Sequence, residues 1–378
     1  MKRGATSIVG AAESAIGVVP DRSALELMGD AALAALDDAG LGVKDVDGLF
    51  AQTPYLWHPS ISLGEHLGIA PRFTGSTNMG GASFVGFIEH AAAAIESGLC
   101  EVALIAYGSN QRSDGGRLVT GSEHLSFEAP YGTIYPATSY ALMAQRHMAQ
   151  YGTTSEQLAE VAIAARRWAQ LNPRAMERGP LSIRDVLDSR MISSPLHRYD
   201  CCLVSDGGGA VVLTSTTRAR DLRRPAVHVL GAATAHQHRQ ILQMPDLTVT
   251  AAVPSGRRAF AMAGLKPADI DVVEIYDSFT INVILALEDL GFCAKGEGGS
   301  FVAGEHIAPG GALPVNTSGG GLSYCHPGML GIFLLIEAVR QLRHEAGDRQ
   351  VKGAGTALVH GIGGVHSAHC TAILGTAL

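Results

Sequence analysis

The chain has 378 residues, a net charge of −7 and 47% hydrophobic residues. That length carries two core-bearing layers or domains, and mild acidity without a Lys/Arg cluster argues against a nucleic-acid surface. Glycine is abundant, at 46 residues, and only 17% of positions are charged, the composition of a tightly packed α/β protein. The cysteines, Cys100, Cys201, Cys202, Cys293, Cys325 and Cys370, show no CxxC spacing. They read as reduced, mostly buried thiols of a cytoplasmic protein, not as a disulfide frame or zinc site. The N-terminus is too polar for a signal peptide. No apolar run reaches the ~18 residues of a membrane span.

In chain order, Ala5–Ala11 reads as a strand. Ser23–Ala39 has helical spacing, with Ser23 as N-cap and Gly40 and Gly42 as stops. A strand starts at Asp47. Pro54–Pro59 is a loop with Tyr55, Trp57 and His58, and Ile61–Leu67 a helix. Thr77–Gly86 is a glycine turn leading into an apolar helix, Phe84–Ser97, and then the strand EVALIAYG. Ser109–Arg198 is too long for a simple crossover and reads as an inserted lid. It carries a polar loop from Asp114 to Arg117, a Tyr/Pro-rich loop at Pro130–Pro136, and helices at Ala137–Tyr151 and Ser155–Leu171. Gly208–Leu213 is the edge or last strand of the first half, and Arg218–Arg224 a charged connector. The second half starts with the strand Ala226–Ala233. Val249–Ala263 is a helix, regular only after Pro254. Asp271–Tyr276 is a strand and Phe279–Leu290 a helix.

The most informative stretch is Pro314–Ile336, PVNTSGGGLSYCHPGMLGIFLLI. Asn316 and three glycines precede Tyr324 and His326-Pro327-Gly328, and a helix, Leu330–Leu342, follows. In an extended segment, positions 324 and 326 project from the same side. Helix N-terminal amides favour negative charge. The segment Thr356–Gly364 then reads as a strand ending in glycines. Glycine turn, buried helix and buried strand therefore occur twice, which indicates an internal duplication with halves at residues 1–224 and 225–378. Sites form at the carboxyl ends of strands in open α/β sheets. Three places qualify: Tyr276, Tyr324–His326 and His360–Gly364. His360, His366 and His369 have a spacing that fits no common metal pattern, and Asp206 reads as a structural residue at a strand start. Trp57, Tyr131 and Tyr135 could line an apolar channel or fill the lid core.

Four loops together resemble the thiolase superfamily over nearly the whole chain. They are GGASF at Gly80–Phe84, Tyr276-Asp277-Ser278-Phe279, Cys325-His326-Pro327-Gly328, and HGIGG at His360–Gly364. Gly81 and Gly361 stand where that family carries its two catalytic cysteines, and neither can be a nucleophile. YDSFT, NTSGGGLSY with HPGM, and VHGIGG resemble the cysteine-less, lipid-transfer-protein-type CoA aldolases of bacterial steroid side-chain breakdown. The resemblance implies an α/β fold of duplicated βαβαβαββ halves in five layers, αβαβα, with lid 109–198 inserted in the first half. It implies retro-aldol cleavage of a β-hydroxyacyl-CoA, with coenzyme A as part of the substrate and no separate cofactor or metal. It also implies a homodimer, paired through a sheet edge near EVALIAY, with a small OB-fold partner making a heterotetramer.

Retro-aldol cleavage needs a base for the β-hydroxyl proton and a site for the enolate. Tyr276 and Tyr324 are the candidate acid/base pair, and His326 with the glycine-loop backbone is the candidate enolate site. Gly81, Ser83, Asn316, His360 and Gly363 are the candidate substrate-binding positions. Two other functions compete: acyl transfer through an unusual nucleophile such as Ser83, and a non-catalytic lipid-binding scaffold.

Overall fold

The computed structural model describes residues 1–116 and 127–378. The first half opens with strand β1 (Thr6–Glu13) and helix α1 (Ala24–Ala39). Ser23 and Glu26 cap α1 reciprocally, and Gly40 ends it at φ 71°. Then come β2 (Gly48–Ala51), α2 (Pro59–Leu67), β3 (Phe73–Gly75), α3 (Ser83–Glu96) and β4 (Val102–Ser109). The insertion carries α4 (Gln111–Asp114), α5 (Ala137–Tyr151), α6 (Ser155–Gln170) and α7 (Ile183–Leu187). A small ribbon, β5 (Met191–Ser193) with β6 (Leu196–His197), completes it. Strand β7 (Gly207–Ser215) and α8 (Thr216–Ala219) follow. The second half holds β8 (Val227–His236), α9 (Ala252–Ala263), β9 (Val272–Ile275), α10 (Thr280–Asp289) and α11 (Gly298–Val302). It ends with α12 (Gly331–Leu342), β10 (Thr356–Gly363) and β11 (Ala368–Gly375).

Among the described residues, nine strands form one mixed sheet in the order β3-β2-β4-β7-β1-β8-β11-β10-β9. In the first half, with the β5–β6 ribbon set aside, the strands from the centre outward are β1, β7, β4, β2 and β3, the first, fifth, fourth, second and third in chain order. The second half repeats it as β8, β11, β10 and β9, with a lone parallel bridge from Val273 to Val315 in the third place. The repeated sequence pattern is thus a repeated topology. Helices α3 and α12 pack on each other, and each touches strands of both halves. On the outer faces, α1 covers β1, β4 and β7, while α9 covers β8 and β11. The result is five layers, with two half-sheets around a central helical layer. Almost every residue of α12 is buried, as a helix in the central layer must be, and its buried Glu337 is paired with Arg349.

Two expectations change. Strand β4 is not an edge: it lies between β2 and β7 with all eight residues buried. The edge of the first half is β3. The strand Gly208–Leu213 is likewise the last of its half in sequence but sits inside the sheet, as part of β7. The lid, though inserted in the first half, packs on the second. Tyr140, Met143, Leu158 and Val161 share one core with Ile281, Ile284 and Leu285 of α10. Residues 117–126 of the lid, with Arg117 of its glycine-rich loop, lie outside the described residues. Among the described residues, no helix is long and apolar enough to cross a membrane.

Candidate active site

The site is built where β9 ends. Ile275 donates its N–H to Asn316 Oδ1 at 2.7 Å, and Tyr276 donates its N–H to the His360 carbonyl at 2.9 Å. These bonds hold the strand end against its neighbours and send the Tyr276 ring outward. The next residue, Asp277, points the other way. Its carboxylate accepts from the amides of Gly321 (2.6 Å) and Leu322 (3.4 Å). Burial raises its pKa to about 6 against those amides. Asp277 thereby holds Gly320–Tyr324 as one π-helical turn, a geometry frequent at functional sites. After that turn the chain extends, and His326 is clamped by its backbone. Its N–H donates to Ser205 Oγ at 3.1 Å, and its carbonyl accepts from Gln111 Nε2 at 2.7 Å. Tyr107 donates its hydroxyl to the next carbonyl, that of Pro327.

These two supports bring Tyr276 and His326 together. The phenol oxygen lies 2.8 Å from His326 Nε2, with the rings edge-on at 89°. The same hydroxyl lies 3.2 Å from the Gly328 carbonyl. His326 Nδ1 is buried without a partner among the described residues. Burial pushes the imidazole down to about 4. Burial, with Cys202 and Tyr140 nearby, raises the phenol. The pair therefore rests neutral, as tyrosine and imidazole. It borders a cavity of about 780 Å³, within the usual range for small-molecule sites. Pro54, Met79, Tyr135, Tyr140, Phe279 and Met329 give this cavity apolar walls.

Of the other expected residues, Gly81 and Gly363 line the cavity. A Cβ placed on Gly81 would sit 2.0 Å from the Tyr276 ring. The phenol thus fills the space that a side chain at position 81 would need. A Cβ on Gly361 would lie 2.9 Å from the Ala82 Cα, so that position has no room either. Ser83 is fully buried. Its hydroxyl donates to the Gly80 carbonyl and accepts from the Met79 N–H, both at 2.8 Å. It braces the turn and is not at the cavity wall. Asn316, at φ 54°, spends its amide on β9 instead of the cavity. His360 is buried behind the wall, bonded to Thr371 and His369.

Tyr324 is the main correction. The expected extended geometry would put it beside His326, but the π-helical turn points it away. Its hydroxyl donates to the buried carboxylate of Glu13. Glu13 also pairs with Arg174 at 2.8 Å and Arg340 at 2.9 Å. Burial pushes the Glu13 carboxyl up, yet Arg340 and Arg174 outweigh it and hold the group low. Burial and that anion raise the Tyr324 phenol. Trp57 and Tyr131 are exposed on the surface, whereas Tyr135 lines the cavity. Asp206 accepts from the Val19, Arg112 and Ser113 amides, a structural role. Sequence reasoning did not find Tyr140 and Cys202 at the cavity, or Gln111 behind His326. None belongs to a recognisable motif, because each is brought in by the lid or its flanks.

Residues 233–376 match the family described as thiolase C-terminal domain-like. The chain is 37% identical to an acetyl-CoA acetyltransferase of Methanothermobacter thermautotrophicus, over 95% of this chain and 96% of that one. It is also 37% identical to a steroid side-chain-cleaving aldolase of Thermomonospora curvata, over 90% of each chain. This chain belongs to the thiolase family. A third relative, 36% identical over 91% of this chain and 92% of its own, is a 17-hydroxy-3-oxo-4-pregnene-20-carboxyl-CoA lyase of Mycobacterium tuberculosis. Among solved structures, the Ltp2-ChsH2(DUF35) aldolase superposes with a TM-score of 0.91 at 35% identity, covering 99% of this chain and 98% of that one. A human mitochondrial 3-ketoacyl-CoA thiolase, at 16% identity and a TM-score of 0.75, shares the fold alone. Within this family, relatives named as acyltransferase and as aldolase or lyase stand at 36–37% identity to this chain, so sequence identity alone does not separate the two activities. The site has to.

Proposed function

We propose that the chain catalyses retro-aldol cleavage of a β-hydroxyacyl-CoA to a ketone and a shortened acyl-CoA, with no covalent acyl-enzyme. One observation carries this reading: the Tyr276 phenol, bonded to His326, fills the place of a nucleophile's side chain at Gly81. The acyltransferase alternative needs an activated nucleophile, and Ser83 already spends its proton on the Gly80 carbonyl.

The chemistry follows from the neutral pair. The β-hydroxyl passes its proton to the Tyr276 oxygen as Tyr276 passes its own to His326 Nε2. The Cα–Cβ bond breaks, its electrons move into the thioester as an enolate, and the ketone departs. The proton then returns through the same pair to Cα. The glycine turns at Gly80–Gly81 and Gly363–Gly364 let backbone approach the thioester closely.

The apolar walls and the relatives' steroid CoA names support a steroid side chain with a tertiary 17-hydroxyl, releasing a short product such as propionyl-CoA. A small OB-fold and zinc-ribbon partner is supported by the DUF35 chain of the similar aldolase. We infer a homodimer that binds two such partners. The free thiols support a reducing, cytoplasmic setting.

The test is to incubate the protein, with and without its partner, with tertiary β-hydroxyacyl-CoAs and to analyse the products. A ketone plus a shortened acyl-CoA is expected. Thiolytic exchange of acetyl groups without ketone release would assign the chain to acyl transfer.

A further inference from the structure

Behind the cavity wall lies a hydrogen-bonded chain that the reaction above does not use. It begins at Ser278, two residues after Tyr276. Asp277 points into the π-helical turn, so Tyr276 and Ser278 share the cavity side of this segment, and both line the cavity. Asn282 of α10 donates Nδ2 to Ser278 Oγ at 2.9 Å. Its Oδ1 meets His366 Nε2 at 3.1 Å. His366 Nδ1 meets His369 Nε2 at 3.2 Å, and His369 Nδ1 meets His360 Nε2 at 2.9 Å. His360 Nδ1 meets the Thr371 hydroxyl at 2.9 Å, and Ser255 Oγ lies 2.9 Å beyond.

All three histidines and Asn282 are fully buried. Burial pushes His360 and His366 down to about 3, and His369 well below its ordinary value. Each is therefore neutral, with one donor and one acceptor nitrogen. Three such rings in series must all face the same way. With the Asn282 oxygen accepting from His366, every ring carries its proton on Nε2, and Thr371 donates to His360. The three do not converge on a point, so they make no metal cradle; among the described residues no cluster could hold a metal ion. His366 sits at φ 53°, a left-handed backbone that is uncommon outside glycine but that histidine adopts more often than most residues.

The direction of this chain decides what Ser278 does. Its oxygen already accepts from Asn282, so its proton is left for the Tyr140 oxygen or for a group in the cavity. Tyr140, across from it on the lid, spends its own proton on the Gly364 carbonyl at 2.9 Å and can only accept from Ser278. We propose that Ser278 is a substrate-binding hydroxyl, donating to an oxygen beside the reacting carbons of the acyl-CoA. Asn282, His366, His369 and His360 are positioning residues that set its direction. The substrate part of this proposal rests on the aldolase reading.

The test has two arms on the full-length protein. The first is nitrogen-15 NMR of histidine-labelled protein, with the three rings assigned by single His→Gln variants. Three neutral Nε2–H tautomers are expected; Nδ1–H tautomers, or charged rings at neutral pH, would overturn the assigned direction. The second arm is steady-state cleavage of a β-hydroxyacyl-CoA. A single neutral hydrogen bond corresponds to roughly a tenfold effect. Ser278→Ala should lower kcat/KM by about that factor, mostly through KM, and Ser278→Thr should restore most of it. Asn282→Asp should match Ser278→Ala, because a carboxylate accepts from Ser278 and turns its proton inward. Unchanged kcat/KM in both Ser278→Ala and Asn282→Asp would overturn the role of Ser278. A wild type that cleaves no β-hydroxyacyl-CoA would refute the aldolase reading and the substrate part together, while the tautomers still decide the direction of the chain.

Discussion

Tyr276 and Tyr324 look alike in the sequence and differ in the molecule. Both are buried phenols delivered by glycine- or motif-bearing loops around the same strand end, and both are raised by burial. Tyr276 faces a neutral imidazole across 2.8 Å and borders the cavity. Tyr324 faces an anion, Glu13, that two arginines already hold. A phenol beside a neutral acceptor can pass its proton on and take another. A phenol that donates to a clamped carboxylate is part of the frame. The partner, more than the residue type, separates chemistry from architecture here.

The sharpest way to break this comparison is to remove one hydroxyl at a time. Tyr276→Phe keeps the ring and should fold normally, yet lose roughly 100- to 10,000-fold in turnover, as read by ketone release. Gly81→Cys should follow closely. Its Cβ would have to occupy space now held by the Tyr276 ring, and a displacement of this kind costs about 100-fold. It should restore no thiolytic activity. Tyr324→Phe should cost at most about tenfold in turnover, and instead about 1–3 kcal/mol in stability, because Glu13 loses one of its donors. Comparable turnover losses in the two Phe variants would erase the distinction.

Acid should unfold the protein partly through His326. Its folded pKa of about 4 lies below the ordinary 6.5, so between these values the unfolded chain binds more protons. The stability is fully present above pH ~6.5 and is lost as pH falls toward 4, roughly 3 kcal/mol for this residue. Denaturant midpoints across that window would measure it. A His326→Gln variant should show a shallower fall. The smallest effect belongs to Ser83→Ala, which removes a turn brace. About 1 kcal/mol of stability should go, with turnover within a few-fold of wild type.

The elements were legible in the sequence because their periodicity and stops were local. α1, α5, α6, α9 and α12 fall within a few residues of their expected spans. Pro254 falls in the first turn of α9, where a missing N–H is tolerated. The duplication was legible as two glycine turns before two apolar helices. What was not legible depended on contacts between distant segments. The π-helical turn at Gly320–Tyr324 is imposed by Asp277, more than forty positions away in the chain. Without that carboxylate in view, alternation along a strand was the natural reading, and it put Tyr324 in the site. EVALIAY read as an edge because nothing in it says that β7 pairs on one side and β2 on the other. The histidine chain was visible only as an odd spacing until β10 and β11 were paired, setting His360 opposite Thr371.

The central claim is that Tyr276 and His326 move a proton where a thiolase would form an acyl-enzyme. Intact-protein mass spectrometry during steady-state turnover of a β-hydroxyacyl-CoA tests this most directly. The account predicts an unmodified mass at every time point while ketone accumulates. An acyl adduct mapped to Ser83 or Cys202, formed and discharged at the rate of turnover, would contradict it.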